Sequence, residues 1–540
     1  VLIWKKDNMG IFISLQKTLE CVIVAVIFAA LVALSGYKQL GVLQSCGYSG
    51  KKYVKWLCKK GNMANTRYLL LSMLCLFASA VISLCFSFLG EYAAVVGLVP
   101  SLIFFVSYYF ADKRVALRSP VARTSRFSRL FTTFFVVLAV VTYIVVALLN
   151  FADNVWGNTI FNILRYCPLA IISALIVPIM LLSNLVIKIY EVPHSKGFIK
   201  KATKKFAESN LKVVGITGSY GKTSTKFILL HILSKKYRVL STPRSHNTPL
   251  GISKCINDAN LSDYDIFIAE MGARNEGDIA ELCAICPPDI SVITGICDQH
   301  METFKSFSAI VKTKGEILQG TKDRAYIADD CYELFENYTC EKVRCSAATD
   351  IKAGMDGVSF TLNLGGKKKE VKCKLLGAHS AKNIALAAEV AFSLGMTIEE
   401  IAQAIEDIPY IEHRLQLIKS NGVNIIDDGY NSNVKGARAA LEVLREFDGR
   451  KIVVTPGLVE LGVLEEKENF ELGRDLAGFD VVILVGDTLV SPVKKGYLSA
   501  EGDENKLVSK PTLFAAQDYL KGIILQGDTV LFLNDLPDVY

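Results

Sequence analysis

The residues with the clearest chemical potential follow an apolar stretch, LKVVGIT at 211–217, in the order Gly218, Ser219, Tyr220, Gly221, Lys222, Thr223 and Ser224. A buried strand that runs into a glycine turn and then into the amphipathic stretch KTSTKFILLHILSKK aims backbone N–H groups at phosphate oxygens. In such a turn Lys222 neutralises charge on the outer phosphates and the Thr223 hydroxyl can hold Mg²⁺. ATP is the expected nucleotide. The strict spacing GxxxxGK[ST] would put glycine at 216, where this chain has Ile216, so the loop is a variant of that pattern.

Two more strand ends place groups on the same edge. YDIFIAEMG (264–272) brings Glu270 to its carboxyl end, and ISVITGI (290–296) is followed by Asp298 and His300. Ligands of open α/β sheets bind beyond the carboxyl ends of the strands, so an acid and an imidazole are expected beside the triphosphate. A hard Mg²⁺ prefers carboxylate oxygen, with imidazole as an additional ligand. Away from a strand end, His300 would read as an ordinary loop histidine. The stretch SAIVKTKGEILQG (308–320) carries Lys312, Lys314 and Glu316, which taken alone read as a solvated helix face. Cys283 and Cys286 have CxxC spacing, but no second pair completes a zinc site, and they read as small buried side chains.

These groups need a scaffold. From about residue 209, short apolar runs alternate with helical ones, the signature of parallel α/β units. NIIDDGY (424–430), KIVVTPG (451–457), VVILVG (481–486) and TVLFLN (529–534), with a helical stretch at 434–448, predict a second α/β domain. The first part of the chain is different. With 540 residues, 51% hydrophobic and a mean hydropathy of +0.34, the chain is too long for one small module and too apolar to be wholly soluble or disordered.

Charge-free runs at 21–37, 68–89, 92–110, 131–149 and 167–187 predict five membrane spans. The net charge of +7 is concentrated in 38–67, which has seven Lys or Arg and no acid, and in 111–130, where six cations oppose only Asp112. The basicity thus belongs to loops beside a membrane and not to a nucleic-acid face, and it places both loops, and everything after the fifth run, in the cytoplasm. No charged residue lies within the runs, so they read as an anchor or docking surface and not as an ion path. The 14 cysteines lack the spacing of a secreted disulfide scaffold and fit a reducing compartment.

TGSYGKTSTK (217–226), SHNTPLGI (245–252), EMGA (270–273), DQHMETF around His300 and KTKGEI (312–317) resemble, in the same order, the Mur ligases of bacterial cell-wall synthesis. GAHSAKNIALAAEVA (377–391), EHRLQL (412–417), DDGYNSNVKGARAAL (427–441) and TPGLVELG (455–462) continue the resemblance, which covers about 209–535. The nearest type adds D-alanyl-D-alanine to a UDP-muramoyl tripeptide. The resemblance implies an ATP-dependent amide synthesis through an acyl phosphate, with Lys222, Lys314 and His300 as catalytic residues. By the family pattern Thr223 and Glu270 serve magnesium, His300 a second magnesium, and Lys314 is carbamylated. Gly218, Ser219, Gly221, Lys222, Thr223 and Ser224 cradle the phosphates, Asn383 meets adenine, and Arg414 and Asp428 close on ATP.

The expected organisation is a transmembrane region at 1–195, an ATP-binding Mur-ligase central domain at 196–409 and a Rossmann-like C-terminal domain at 410–540. The expected place is the bacterial inner membrane, multi-pass, with cytoplasmic catalytic domains. Spans stand where this ligase type carries a soluble UDP-sugar domain, so a lipid-linked precursor joins the UDP-linked muropeptide as a substrate, with an amino acid or dipeptide as the amine and no nucleic acid. Two other readings compete: a catalytically retired scaffold for cell-wall enzymes, which the presence of Lys222, Thr223, Glu270, His300 and Lys314 disfavours, and an ATP-driven transporter, which the lack of polar groups in the runs disfavours.

Overall fold

The computed structural model describes residues 2–58, 64–89, 93, 96–97, 99–100, 103–104, 106–107, 121–156, 169–244, 246–430, 433–486 and 489–534. The chain divides into two compact units, Val1–His194 and Ser195–Leu536.

Helices make up the first unit: Leu2–Ser35, Tyr37–Ser45, Gly50–Leu57, Ala64–Cys85, Ser125–Trp156, Leu169–Ala174 and the start of Ile176–Ala207. Phe28, Val32, Leu40, Leu130, Phe134, Leu138 and Met180 meet in a common core. Ile23, Ile27, Val136, Val140, Leu185 and Ile189 are exposed on its surface.

Among the described residues three helices, Thr18–Ser35, Ser125–Leu148 and Ile176–Ala207, are long and apolar enough to cross a membrane by length and composition, where the sequence predicts five spans. The expected span at 92–110 lies largely outside the described residues, as does the basic stretch 111–120. The run 68–89 falls on helix Ala64–Cys85, which gives way to a 3-10 turn at Ser87–Leu89 before the apolar run ends. The run 167–187 is divided between two helices. Pro178 has no N–H to give the carbonyl of Ala174, and the first helix stops at that residue.

In the second unit the central sheet is six-stranded and parallel. Its strands are β1 (Lys212–Thr217), β2 (Val239–Ser241), β3 (Ile266–Glu270), β4 (Ile290–Ile293), β5 (Arg324–Ala328) and β6 (Glu341–Cys345), in the order β2-β3-β1-β4-β5-β6. Alternation along β1 sends Val214 and Ile216 to one face, against Ile228, Leu229 and Ile232, and Val213 to the other, against Ile252, Ile279 and Ile317. Helices cover both faces, as a parallel sheet requires. The chain leaves β1 for β2, returns to β3 beside β1, and then crosses to β4 on the other side. The order reverses at β1, which opens a crevice at the carboxyl ends of β1, β3 and β4.

A small antiparallel sheet follows, β7 (Ala348–Gly354), β8 (Gly357–Leu364) and β9 (Lys367–Cys373). The last sheet holds β10 (Gln416–Ser420), β11 (Val423–Asp428), β12 (Lys451–Thr455), β13 (Val481–Val485), β14 (Leu507–Lys510) and β15 (Thr529–Leu533), in the order β10-β11-β15-β12-β13-β14. Only β10 runs antiparallel to its neighbour. Ile452 and Val454 pack on one face with Leu520, while Val453 packs on the other with Leu441 and Leu472.

Candidate active site

The loop after β1 is shaped by its glycines. Gly218 has φ 150°, and a Cβ there would lie 2.3 Å from Thr294 Oγ1 and 3.0 Å from the Gly295 carbonyl. Gly221 has φ 78° and caps helix Lys222–Leu233, whose first N–H groups receive no side-chain cap. Free N–H groups and the positive end of a twelve-residue helix make this an anion site. The Ser219 N–H donates to the Gly295 carbonyl at 2.7 Å, tying the loop to the end of β4. Lys222 folds back on the loop, donating to the Gly218 carbonyl at 2.5 Å and the Ser219 carbonyl at 3.1 Å. Burial lowers its pKa from the usual lysine range, against the pull of Glu270.

Register places Glu270 opposite Ile216, beside the start of the loop. Its carboxylate is buried, with one oxygen hydrogen-bonded and the other facing a lysine. Oε1 accepts from Thr223 Oγ1 at 3.1 Å and from Asn247 Nδ2 at 3.1 Å, and Oε2 pairs with the wholly buried Lys226 Nζ at 3.1 Å. Sequence reading assigned no role to Lys226 or Asn247. Their signal was present in TGSYGKTSTK and SHNTPLGI, but nothing in either motif says that both side chains turn toward one carboxylate.

The fit to Mg²⁺ can be tested on these atoms. An octahedral ion with oxygens at about 2.0–2.1 Å sets neighbouring ligands about 2.9 Å apart, close to the 3.1 Å between Thr223 Oγ1 and Glu270 Oε1. No group of three or more His, Cys, Asp or Glu able to hold a metal occurs among the described residues. The protein offers a hydroxyl and a carboxylate, the sparse set that Mg²⁺ takes when phosphates and water supply the rest.

Lys314 reaches the same cavity from helix Phe307–Gly320, which Ser306 caps by accepting from the Ala309 N–H at 3.2 Å. Burial, reinforced by the nearby Lys222, pushes its pKa well below the lysine range, so this amine is a buried base and not part of a solvated face. His300 sits at φ 53° and pairs through Nδ1 with Glu460, which also meets Arg274 at 3.3 Å. Burial lowers the His300 pKa, opposed by Glu460. Glu460 lies on the loop after β12, so the last sheet reaches the central one here. Glu460 lies within TPGLVELG, whose sequence alone gives it no role.

Ser219, Gly221, Lys222, Thr223, Ser224, Glu270, His300, Lys314 and Arg414 thus line one cavity of about 420 Å³, while Gly218 sits behind it against Thr294 and Gly295. A second cavity of about 490 Å³ shares Tyr220, Gly221, Ser224 and Arg414 with the first and extends to Asn383 and Asp428. Its wall mixes Ile228, Leu375, Leu386 and Ile411 with polar groups, as a flat aromatic ligand with a polar rim requires. Asn383 stands where a Cβ on Gly221 would come within 2.9 Å of its Oδ1. Arg414 donates to the Tyr430 carbonyl at 2.5 Å and lies over that ring at 5.0 Å. Asp428, at the end of β11, accepts from the Leu415 N–H at 3.3 Å, and burial raises its pKa to about 7.

Comparison with known proteins identifies the family and the fold. The family model described as the Mur ligase middle domain matches residues 216–391, and that of the Mur ligase glutamate ligase domain matches 413–533. UDP-N-acetylmuramoyl-tripeptide–D-alanyl-D-alanine ligase of Bacillus subtilis is 30% identical over 346 residues, 60% of this chain and 73% of that protein. The Escherichia coli enzyme of the same name is 28% identical over 58% of this chain and 74% of its own. The Mycobacterium tuberculosis enzyme is 33% identical, and the match spans 58% of its length. Among solved structures, MurF from Acinetobacter baumannii superposes with a TM-score of 0.58 at 25% identity, covering 64% of this chain and 78% of that one. MurF from Thermotoga maritima, in complex with ADP, gives 0.57 at 27% identity, covering 64% and 81%.

Proposed function

The chain belongs to the Mur ligase family, among the MurF-like ATP-dependent ligases, and from that premise we propose that it is a membrane-anchored peptide ligase acting through an acyl phosphate. The observation that carries this reading is the convergence of Lys222, Thr223, Glu270 and Lys314 on one cavity beside an uncapped helix start. On this reading 1–195 is the anchor, 196–409 binds ATP and 410–540 closes over it.

The first barrier is repulsion between a substrate carboxylate and the triphosphate. Lys222 and the helix start at Gly221 offset that charge. When bound, Mg²⁺ supplies further charge neutralisation between Thr223 and Glu270, with His300 serving a second ion. A carboxylate oxygen forms a bond to the γ-phosphorus as the bond to the bridging oxygen breaks, and ADP leaves. The amine nitrogen then attacks the carbonyl carbon, loses a proton, and expels inorganic phosphate, which completes the amide.

The depressed pKa of Lys314 supports its carbamylation, because only a neutral amine adds carbon dioxide. The product is an anion, which offsets the positive charge of Lys222. The second cavity suits the nucleoside, with Asn383 at the base and Arg414 and Asp428 closing from the last sheet.

The acid substrate is a muropeptide and the amine D-alanyl-D-alanine or a related amine, as the names of the relatives suggest. Three apolar helices support anchoring, multi-pass, in a bacterial inner membrane, with the ligase domains in the cytoplasm as in other Mur ligases. There a lipid-linked precursor would share two dimensions with the enzyme. The test incubates detergent-purified protein with ATP, D-alanyl-D-alanine, and UDP-linked or lipid-linked muropeptide. A product heavier by the amine less water is expected, and no such product with either acid would overturn the reading.

A further inference from the structure

In the first unit the turn Cys46–Ser49 carries two successive left-handed residues, Gly47 (φ 66°) and Tyr48 (φ 58°). That region is strained for an aromatic residue, so the surroundings must hold it. The Arg126 guanidinium lies over the Tyr48 ring at 4.1 Å, and Asn184 Nδ2 donates to the Tyr48 carbonyl at 3.0 Å. Just before the turn, Gln44 Nε2 donates to the Ala122 carbonyl at 2.9 Å. The turn thereby joins two helix starts: Ser49 caps Gly50–Leu57, and Thr124 caps Ser125–Trp156 by accepting from the Phe127 N–H at 3.1 Å.

Cations surround this junction without matching acids. Lys51, Lys52 and Arg123 are exposed, and Arg126 is partly so. The sequence has no Asp or Glu from 21 to 90 or from 113 to 152. Arg129 is neutralised by Glu191 at 2.6 Å, whereas Lys51, Lys52, Arg123 and Arg126 have no carboxylate partner among the described residues. The same unit exposes Ile23, Ile27, Val136, Val140, Leu185 and Ile189.

We propose that the Tyr48 junction is a binding surface for the phosphates of anionic phospholipid headgroups. Unmatched cations on a unit with an apolar exterior are complementary to a negatively charged leaflet. Stacking on Tyr48 holds the Arg126 fork in one plane, which suits it to paired phosphate oxygens better than a free side chain. Prenyl-linked cell-wall precursors carry the same phosphate chemistry, so the test separates the two sources.

This inference rests on the anchoring reading, and alkaline carbonate extraction of membranes examines that separately. A chain released by carbonate sinks the anchor, whereas an inserted chain with no headgroup preference sinks only the present proposal. The full chain, purified in nonionic detergent, is mixed with phosphatidylcholine and phosphatidylglycerol, and retained lipids are identified by native mass spectrometry. Phosphatidylglycerol should be retained preferentially. The variant Lys51→Gln/Lys52→Gln/Arg126→Gln should lose about fivefold in that retention per cation removed, with the phosphatidylcholine level and helicity unchanged as a check on folding. Lys367→Gln/Lys368→Gln/Lys369→Gln in β9 should behave like the unaltered protein. Equal retention of both lipids, or undiminished phosphatidylglycerol in the triple variant, overturns the proposal. So does loss of added undecaprenyl phosphate alone, which would assign the surface to substrate lipid.

Discussion

Thr223 and Glu270 come from consecutive layers of the sequence, one from the helix after β1 and one from the end of β3, yet Thr223 Oγ1 and Glu270 Oε1 lie 3.1 Å apart. Parallel pairing of β1 with β3 makes this possible, because it sets Ile216 opposite Glu270 and so brings the strand's last residue level with the loop. Neither residue's neighbours in sequence could supply the other oxygen.

Thr223→Val keeps the side-chain shape and removes the hydroxyl. It should leave the melting temperature nearly unchanged while lowering kcat/KM for amide formation on the order of 100-fold, about 2.7 kcal/mol. Raised Mg²⁺ should recover part of the loss. An Mg²⁺ titration of product formation checks this, and a curve identical to that of the unaltered protein would remove Thr223 from the metal site.

Lys226 and Glu270 form a pair with both side chains almost wholly buried, so removing one partner strands a charge. Lys226→Met should cost about 3–5 kcal/mol of stability. The double variant Lys226→Met/Glu270→Leu should cost less than Lys226→Met alone, although it is inactive. Melting curves of Lys226→Met, Glu270→Leu and the double variant read the coupling, and additive losses would show that the pair contributes nothing as a pair.

Gly218→Ala should abolish nucleotide binding without unfolding the sheet. The added carbon meets Thr294 Oγ1 and the Gly295 backbone, and the loop can escape only by leaving the geometry that gathers its N–H groups. A loss of at least about 100-fold in ATP affinity is expected, since several phosphate hydrogen bonds fail together. Calorimetric titration with a non-hydrolysable ATP analogue measures it.

The phosphate loop, Glu270 and the strand ends were legible in the sequence because glycine spacing and apolar runs act locally. Lys226 was not, since a lysine four residues after Lys222 on a helix normally faces water, and only packing against β3 buries it. Glu460 was hidden for a similar reason: its partners His300 and Arg274 lie more than 150 residues earlier, on another sheet. The antiparallel β7–β9 sheet went unread because β9 is rich in lysine and β7 and β8 alternate polar with apolar residues instead of forming a continuous apolar run. In the first unit apolarity predicts five spans and three helices among the described residues are long and apolar enough to cross a membrane; the break at Leu175, within reach of Pro178, is a proline effect that apolar composition does not carry.

Asp428 gives the protein a pH dependence with a definite sign. Its carboxyl is raised from 3.8 to about 7 by burial, with Arg414 opposing. Between those values the folded state keeps a proton that the unfolded chain has lost, so stability declines as pH climbs through the window and is level above it. The full penalty is on the order of 4 kcal/mol. Asp428→Asn keeps an oxygen for the Leu415 N–H and should flatten the profile. Melting temperatures at pH 5 and pH 8 should differ less in the variant than in the unaltered chain, and equal differences would show that Asp428 ionises normally.

Lys314 is the group whose chemistry departs furthest from its residue type. A protonated lysine beside Lys222 would add a second buried cation to a cavity meant to receive anions, and burial together with Lys222 holds its pKa well below the lysine range. In its neutral form the amine can add carbon dioxide and become a carbamate, whose negative charge Lys222 and a bound metal would balance. Lys314→Ala should therefore abolish amide formation, by about 1,000-fold or more, while the protein still binds ATP and stays in the membrane. A short carboxylate such as acetate or formate added to Lys314→Ala should restore part of the activity, because it puts an anion where the carbamate stood. The unaltered enzyme should lose activity in buffer stripped of bicarbonate and regain it on resupply. Lys314→Ala rescued by amines instead of carboxylates would mean that the lysine acts as a cation, and the assignment of a carbamate would be wrong.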